Sequence, residues 1–221
     1  MTTTTTRPRS QETRRAILEA ALDRFSELGF DGASTRSIAQ QAEVAQPLLN
    51  YHFAGKEVLW RAVVDDVFAG LRASMLDRLT GLRGVDELTT ARLLVRHFVE
   101  FSAAHPQLHR IIMQESKHAG PRLDWLVETH VRPLYDNAIA LFEGLRTDGE
   151  LGPAARAHLY YLLTGAGATV FVMAPECQRL TGVDPFAPEF VNAHADFVID
   201  LFVRAINEDL TSKDPSTRET S

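Results

Sequence analysis

Between Ser34 and Leu59 the chain runs STRSIAQQAEVAQPLLNYHFAGKEVL, and few folds accommodate what this stretch demands. Its pattern is two short helices joined by a tight turn, then the start of a longer helix. Ser34 is placed as an N-cap, its hydroxyl accepting from a first-turn N–H that has no partner within the helix. Ile38, Ala39 and Ala42 set a small apolar stripe on one face. Glu43-Val44-Ala45 makes the turn, with Val44 as its inward anchor. The second helix, about Gln46 to His52, buries Leu49 and, just beyond its end, Phe53. It turns Gln46, Leu48, Asn50, Tyr51 and His52 elsewhere. Pro47 fits its first turn, where an N–H lacks a helical partner in any case. A helix of two turns that exposes amides, a phenol and an imidazole is a poor core element. It suits a DNA major groove, where amides read base edges and Tyr, His and Lys hold phosphates.

The net charge of −6 does not suggest a polyanion binder, but the charge is unevenly spread. Residues 1–60 carry seven Lys and Arg against seven Asp and Glu, and the remainder carries 16 against 22. Within the first 15 residues Arg7, Arg9, Arg14 and Arg15 face only Glu12. A relatively basic end on an acidic body would orient the molecule on DNA. Cys177 is the single cysteine, so no intrachain disulfide can form. The polar MTTTTTRPRS start lacks the apolar core of a secretory signal, and the longest uncharged run, Leu159 to Pro175, falls short of a membrane span. The expected location is the cytoplasm, with no membrane partner.

Apolar residues recur at helical spacing along the chain, and no run argues for a strand. A first helix begins at Ser10, with Ile17, Ala21, Phe25 and Leu28 on one face, and stops at Gly29. A fourth runs from Lys56 to about Leu79 on Leu59, Val63, Val67, Leu71 and Met75, ended by Gly81 and Gly84. A fifth spans roughly Asp86 to Ala104 with Leu88, Ala91, Val95, Phe98 and Phe101 inward, and a short sixth carries Leu108, Ile111 and Ile112 to about Ser116. The seventh is long, from Leu123 to Leu145, and Pro133 predicts a kink or break near Arg132 before Thr147-Asp148-Gly149 ends it. The eighth starts near Pro153 and carries Leu159, Leu162, Leu163, Val170 and Met173 past the small-residue patch Gly165-Ala166-Gly167-Ala168. After a Gly- and Pro-containing loop (Thr181 to Pro188) the ninth spans Glu189 to about Leu210.

The helix-turn-helix stretch resembles the DNA-binding segment of the TetR family of transcriptional regulators. The resemblance covers about residues 10–60. It rests on Gly29-Phe30, Ser34, Ile38-Ala39, Val44, Leu49, Tyr51-His52-Phe53 and Lys56-Glu57 with Leu59. Two positions depart from the family pattern. Glu43 stands where the family usually has Gly, and Ala45 where it usually has a Ser or Thr cap. Positive φ strains a non-Gly residue and a lost cap costs ~1 kcal/mol, so the recognition helix is expected to be firm only when docked.

The resemblance implies an all-α, TetR-like fold. Residues 10–55 form a three-helix DNA-binding domain, and residues 56–210 a six-helix effector-binding and dimerisation bundle. Disordered tails, 1–9 and 211–221, flank them. Such a protein is a homodimer on a palindromic double-stranded operator, a repressor released by a small-molecule effector. The expected DNA contacts are Ser34, Thr35, Arg36, Gln46, Pro47, Leu48, Asn50, Tyr51, His52 and Lys56. Dimerisation falls to helices eight and nine. Phe190, Phe197, Val198, Leu201, Phe202, Ala205 and Ile206 span more than one stripe, and Gly165 and Ala168 allow close approach. The family binds its effector among helices four to eight. Residues there that suit a partly apolar pocket are His97, Phe98, Phe101, Met113, Trp125, Thr129, His130, Tyr135, Phe142, Tyr161 and Thr164.

Rival chemistries find less support. Glu115 and His118 form an E-x-x-H, and His105 and His109 lie four apart, but a bundle metal site of the ferritin kind needs a second E-x-x-H and further inward Glu residues. There is no G-x-S-x-G, no phosphate-binding Gly-rich loop, and no evident base beside Cys177. No catalytic residue, metal site or cofactor is expected. A bundle enzyme or metal-binding protein, and a ligand-independent DNA-architectural protein, are the alternatives.

Overall fold

Helical spacing of apolar side chains translates into helices in the computed structural model, which describes residues 9–80, 84–145 and 151–207; no strand occurs among them. In chain order they are α1 (Arg9–Gly32), α2 (Thr35–Gln41), α3 (Gln46–His52), α4 (Lys56–Thr80), α5 (Glu87–Ala104) and α6 (Pro106–Glu115). There follow α7 (Pro121–Leu126), a π-helical turn (Val127–Val131), α8 (Arg132–Gly144), α9 (Pro153–Val172), α10 (Ala174–Thr181) and α11 (Pro188–Asn207). Proline occupies a first-turn position in α3, α6, α7, α9 and α10, where its missing N–H costs nothing.

Several elements differ from what the sequence pattern predicts. Leu28 and Leu88, expected inward, are 50% and 39% exposed; each sits at the end of its apolar stripe. At Pro133 the seventh helix does not break but passes through a π-helical turn. The chain stays in right-handed helical geometry while Arg132 N–H reaches back five residues to the Val127 carbonyl. That one-residue slip, placed just before Pro133, absorbs the lost donor. α10 is an additional helix, bent 75° from α9 and closed by Gly182 in the left-handed region (φ 74°). Ala168, expected at the dimer face, is buried within the chain. The expected stops at Gly81 and at Thr147-Asp148-Gly149, the side chains of Ala205 and Ile206, the end of helix nine near Leu210 and both tails (but for Arg9, which opens α1) lie outside the described residues.

Two apolar clusters hold the fold together. The second joins α5, α8, α9 and α11 through Val99, Ile139, Phe142, Leu159, Phe171, Val198 and Phe202. The first gathers Ile17, Phe25, Ile38, Leu49, Trp60 and Phe68 from α1 to α4, and continues into Phe101, Leu108, Ile111 and Leu126 of α5 to α7. It therefore runs across the expected domain boundary at residue 55. At ~25 cal/mol per Å² of buried apolar surface, a cluster that spans both parts favours one packing of head on body over a free hinge.

Gly29 makes that packing possible. At φ 71° and ψ 176° it ends the regular part of α1 in a conformation open almost only to glycine. An added Cβ would lie 2.8 Å from Gln114 Oε1 of α6. The same Gln114 donates from Nε2 to the Ser26 carbonyl at 2.8 Å, tying α6 to α1. No single helix among the described residues is long and apolar enough to cross a membrane; α9 and α10 pass such a test only as a pair, and are bent.

Candidate nucleic-acid interface

α2 and α3 owe their geometry to a few local bonds. Ser34 accepts from Ser37 N–H at 3.0 Å, and the Ser37 hydroxyl accepts from Ser34 N–H at 3.3 Å, a reciprocal cap at the start of α2. Ile38 and Ala39 are buried and seat α2 on α1. Glu43 has φ 55°, the positive value expected for a position that prefers Gly. Ala45 gives α3 no side-chain cap. Val44 is half-buried against the core, and Leu49 and Phe53, fully and nearly fully buried, fix α3 from below. Arg14 of α1 lies over the Phe53 ring at 5.4 Å.

Everything else on α3 faces outward. Tyr51 is 81% exposed and Leu48 40%, while Gln46, Pro47 and Asn50 are exposed and His52 is partly covered by Tyr51 at 5.5 Å. Ser34 and Arg36 are exposed at the start of α2, and Thr35 is half-buried. Arg36, Gln46 and Asn50 make no side-chain hydrogen bond or ion pair with another described residue. At the start of α4, Lys56 donates to the Asp31 carbonyl at 3.3 Å and lies 4.5 Å from the centre of the Phe30 ring. A short rigid helix thus presents unpartnered amides at its N-terminal end and hydroxyl and basic groups at its flanks. That is the distribution base edges and phosphates require.

Residues 17–63 match the family described as bacterial regulatory proteins, tetR family. That segment of the chain is a TetR-family DNA-binding domain. The chain is a helix-turn-helix transcriptional regulator that binds DNA sequence-specifically. Over 197 residues, 87% of the chain and 90% of the relative, this chain is 29% identical to the HTH-type transcriptional regulator RutR of Escherichia coli K12. It is also 29% identical over 111 residues to the HTH-type transcriptional repressor NicS of Pseudomonas putida, covering 50% and 51% of the two chains. A TetR-like transcriptional regulator from Rhodococcus sp. RHA1 shares the fold, with a TM-score of 0.65 at 21% identity over 91% of this chain and 99% of that one.

In the body of the regulator, the residues expected around an effector divide into separate groups. Trp125 and His130 pack on α4. His130 stacks on Phe68 at 4.5 Å, donates from Nε2 to Asp65 at 2.9 Å and lies 3.2 Å from an Arg72 guanidinium nitrogen through Nδ1. Burial is the main reason its pKa is lowered, opposed in part by Asp65. Trp125 meets Trp60 at 5.6 Å, with Arg61 over it at 4.8 Å. His97 and Phe101 line an open groove of about 290 Å³ between α4 and α5, shared with Ser74, Arg78 and Glu100. His97 Nε2 lies 3.0 Å from Ser74 Oγ, its Nδ1 is buried without a partner, and burial lowers its pKa. Phe98 presses on Gly167, where a Cβ would come within 2.7 Å of the ring.

Tyr135 packs on Tyr160 at 5.1 Å, Phe142 on Phe202 at 5.2 Å, and Thr164 donates to the Tyr160 carbonyl. Burial pushes the Tyr160 phenol up to about 12. Met113, Thr129 and Tyr161 sit on the outer surface. Phe30, Asp65, Gln114 and Arg122 are missing from the sequence-based site. Each acquires its role from a partner far along the chain, and no local pattern announces that. Glu115 of the E-x-x-H pairs with Arg122 at 3.1 Å, and His118 is exposed.

Proposed function

We propose that this regulator is a cytoplasmic, non-enzymatic homodimer that represses from a palindromic operator and leaves it on binding a small, partly apolar effector. The observation that carries the DNA contacts is the outer face of α3, held from below by Leu49 and otherwise free of partners. Gln46, Leu48 and Asn50 read base edges, with Pro47 opening their helix. Ser34, Thr35, Arg36, Tyr51, His52 and Lys56 hold phosphates. The head is residues 10–55 and the body 56–210. Two bodies pair through α9 and α11, the eighth and ninth helices of the sequence pattern. Tyr161 and Phe197 are 73% and 64% exposed there, and nothing lies near the Cβ position of Gly165. The α4–α5 groove, with the unpartnered His97 nitrogen, supports an effector carrying a polar group on an apolar frame.

The test begins with selection of bound fragments from genomic DNA by the purified protein, which supplies the operator. Lys56→Ala is then expected to weaken binding to all sequences alike and to reduce the salt slope by about one unit. Gln46→Ala is expected to cost about 1–3 kcal/mol at one position of each half-site. If the two effects were exchanged, the assignment of phosphate and base contacts would be wrong. The switch has its own check. Half-sites lie about one helical turn apart or a multiple of it, so a body state that tilts α4 separates the heads. An effector that prefers that state lowers operator affinity roughly 5- to 150-fold. Reciprocity requires it to bind the DNA-free protein more tightly than the DNA-bound protein by the same factor, and equal affinities would refute the switch.

A further inference from the structure

We propose that Arg122, a residue of the body, is a positioning residue for DNA binding, acting on Lys56 through the ring of Phe30. The inference rests on the reading of Lys56 as a phosphate contact. Phe30 sits at the end of α1, stacked on Phe25 at 6.1 Å and edge-on to Trp60 at 6.3 Å, so its ring is fixed within the head. Two cations share that ring. The Arg122 guanidinium lies 3.9 Å from its centre and the Lys56 ammonium 4.5 Å. Arg122 is itself held by its Nε–H donating to Glu115 at 3.1 Å, a carboxylate only 9% exposed. Lys56 has one further bond, to the Asp31 carbonyl.

The ring and that carbonyl compete with DNA for the Lys56 ammonium. A second cation on the same ring repels Lys56 and takes part of the ring's attraction, so Arg122 biases Lys56 away from the head and toward a phosphate. The connection reaches Lys56 at the start of α4 without requiring that helix to tilt. It runs from the α6–α7 corner, which Gln114 ties to the Ser26 carbonyl of α1. A crevice of about 350 Å³ lies beside Phe30, Gln114 and Arg122, leaving the guanidinium space to move off the ring. A body state that shifts this corner relative to α1 lets Lys56 settle on Phe30 and weakens the DNA complex without tilting α4.

The experiment is a double-mutant cycle on the full chain, read as affinity for the selected operator fragment. Arg122→Gln is expected to weaken binding roughly three- to fivefold in the natural background, with Arg122→Lys restoring most of it. In a Lys56→Ala background the same change is expected to alter affinity less than twofold, because the group it acts on is gone. An equal loss in both backgrounds, as general damage to the fold would give, overturns the proposal, and so does no loss in the natural background. If Lys56→Ala alone left affinity and salt slope unchanged, the phosphate reading would fall first and the proposal with it. An additive cycle beside an active Lys56 removes the relay alone.

Discussion

Leu49→Ala is expected to lower operator affinity more than tenfold while the α5–α9–α11 core stays folded. Leu49 is fully buried and is the only buried residue within α3. Removing it deletes a large apolar contact and leaves a cavity, a change worth about 2–5 kcal/mol. α3 cannot absorb that loss. It has 7 residues, fewer than the ~12–15 an isolated helix needs to be even marginal, and it begins without a side-chain cap after a residue at positive φ. The loss should therefore appear as local opening. Hydrogen exchange is the check: amides of residues 46–53 speed up while those around Val99 and Val198 keep their protection. A uniform rise in exchange across the chain would show that head and body unfold as one.

Stability is expected to fall as pH drops from about 6.5 toward 4. His97, His105, His109, His130 and His194 all have lowered pKa values, each mainly through burial, and His109 is brought down to about 4. His109 lies against Ser102 Oγ at 3.0 Å and edge-on to Phe98 at 5.6 Å, with no carboxylate to receive a proton's charge among the groups shifting it. The folded rings stay neutral where the unfolded ones, with pKa near 6.5, already bind protons. The stabilising contribution is thus complete above the unfolded value and declines as pH falls to the folded one. For His109 alone the loss approaches about 3 kcal/mol. Urea unfolding at pH 7.5 and at pH 5 measures it, and His109→Gln should flatten the difference. Equal stability at both pH values in the natural protein would contradict the assignment.

The helix-turn-helix was the most legible part of the chain because its determinants are local. A cap three residues from its partner, a turn at Glu43 and an apolar residue facing down from a two-turn helix can be read within a window of a few residues. α10 has readable limits too, Pro175 at its start and Gly182 at its end, but APECQRLT offers only Ala174, Cys177 and Leu180 as apolar residues, too short a series to mark a separate helix. Pro133 announced an irregularity without saying of what kind; a slip of one hydrogen bond and a kink begin from the same missing donor. Least legible were the pairs that join head to body. Gln114 with Ser26, and Arg122 with Phe30, are separated by most of a domain in sequence, and a polar residue on a short helix looks the same whether or not it finds such a partner. The expected effector residues dispersed for the related reason that periodicity gives a face, not what that face meets.

The contact between Trp60 and Trp125 has a spectroscopic consequence. These are the only two tryptophans in the chain, and they touch where α4 passes the α7 side of the body. All indole emission therefore originates at a single junction, with an imidazole edge 5.1 Å from one ring and a guanidinium over it. Rings this close couple their transitions, so the near-ultraviolet circular dichroism and the emission of the unlabelled protein are optical gauges of how α4 sits against α7.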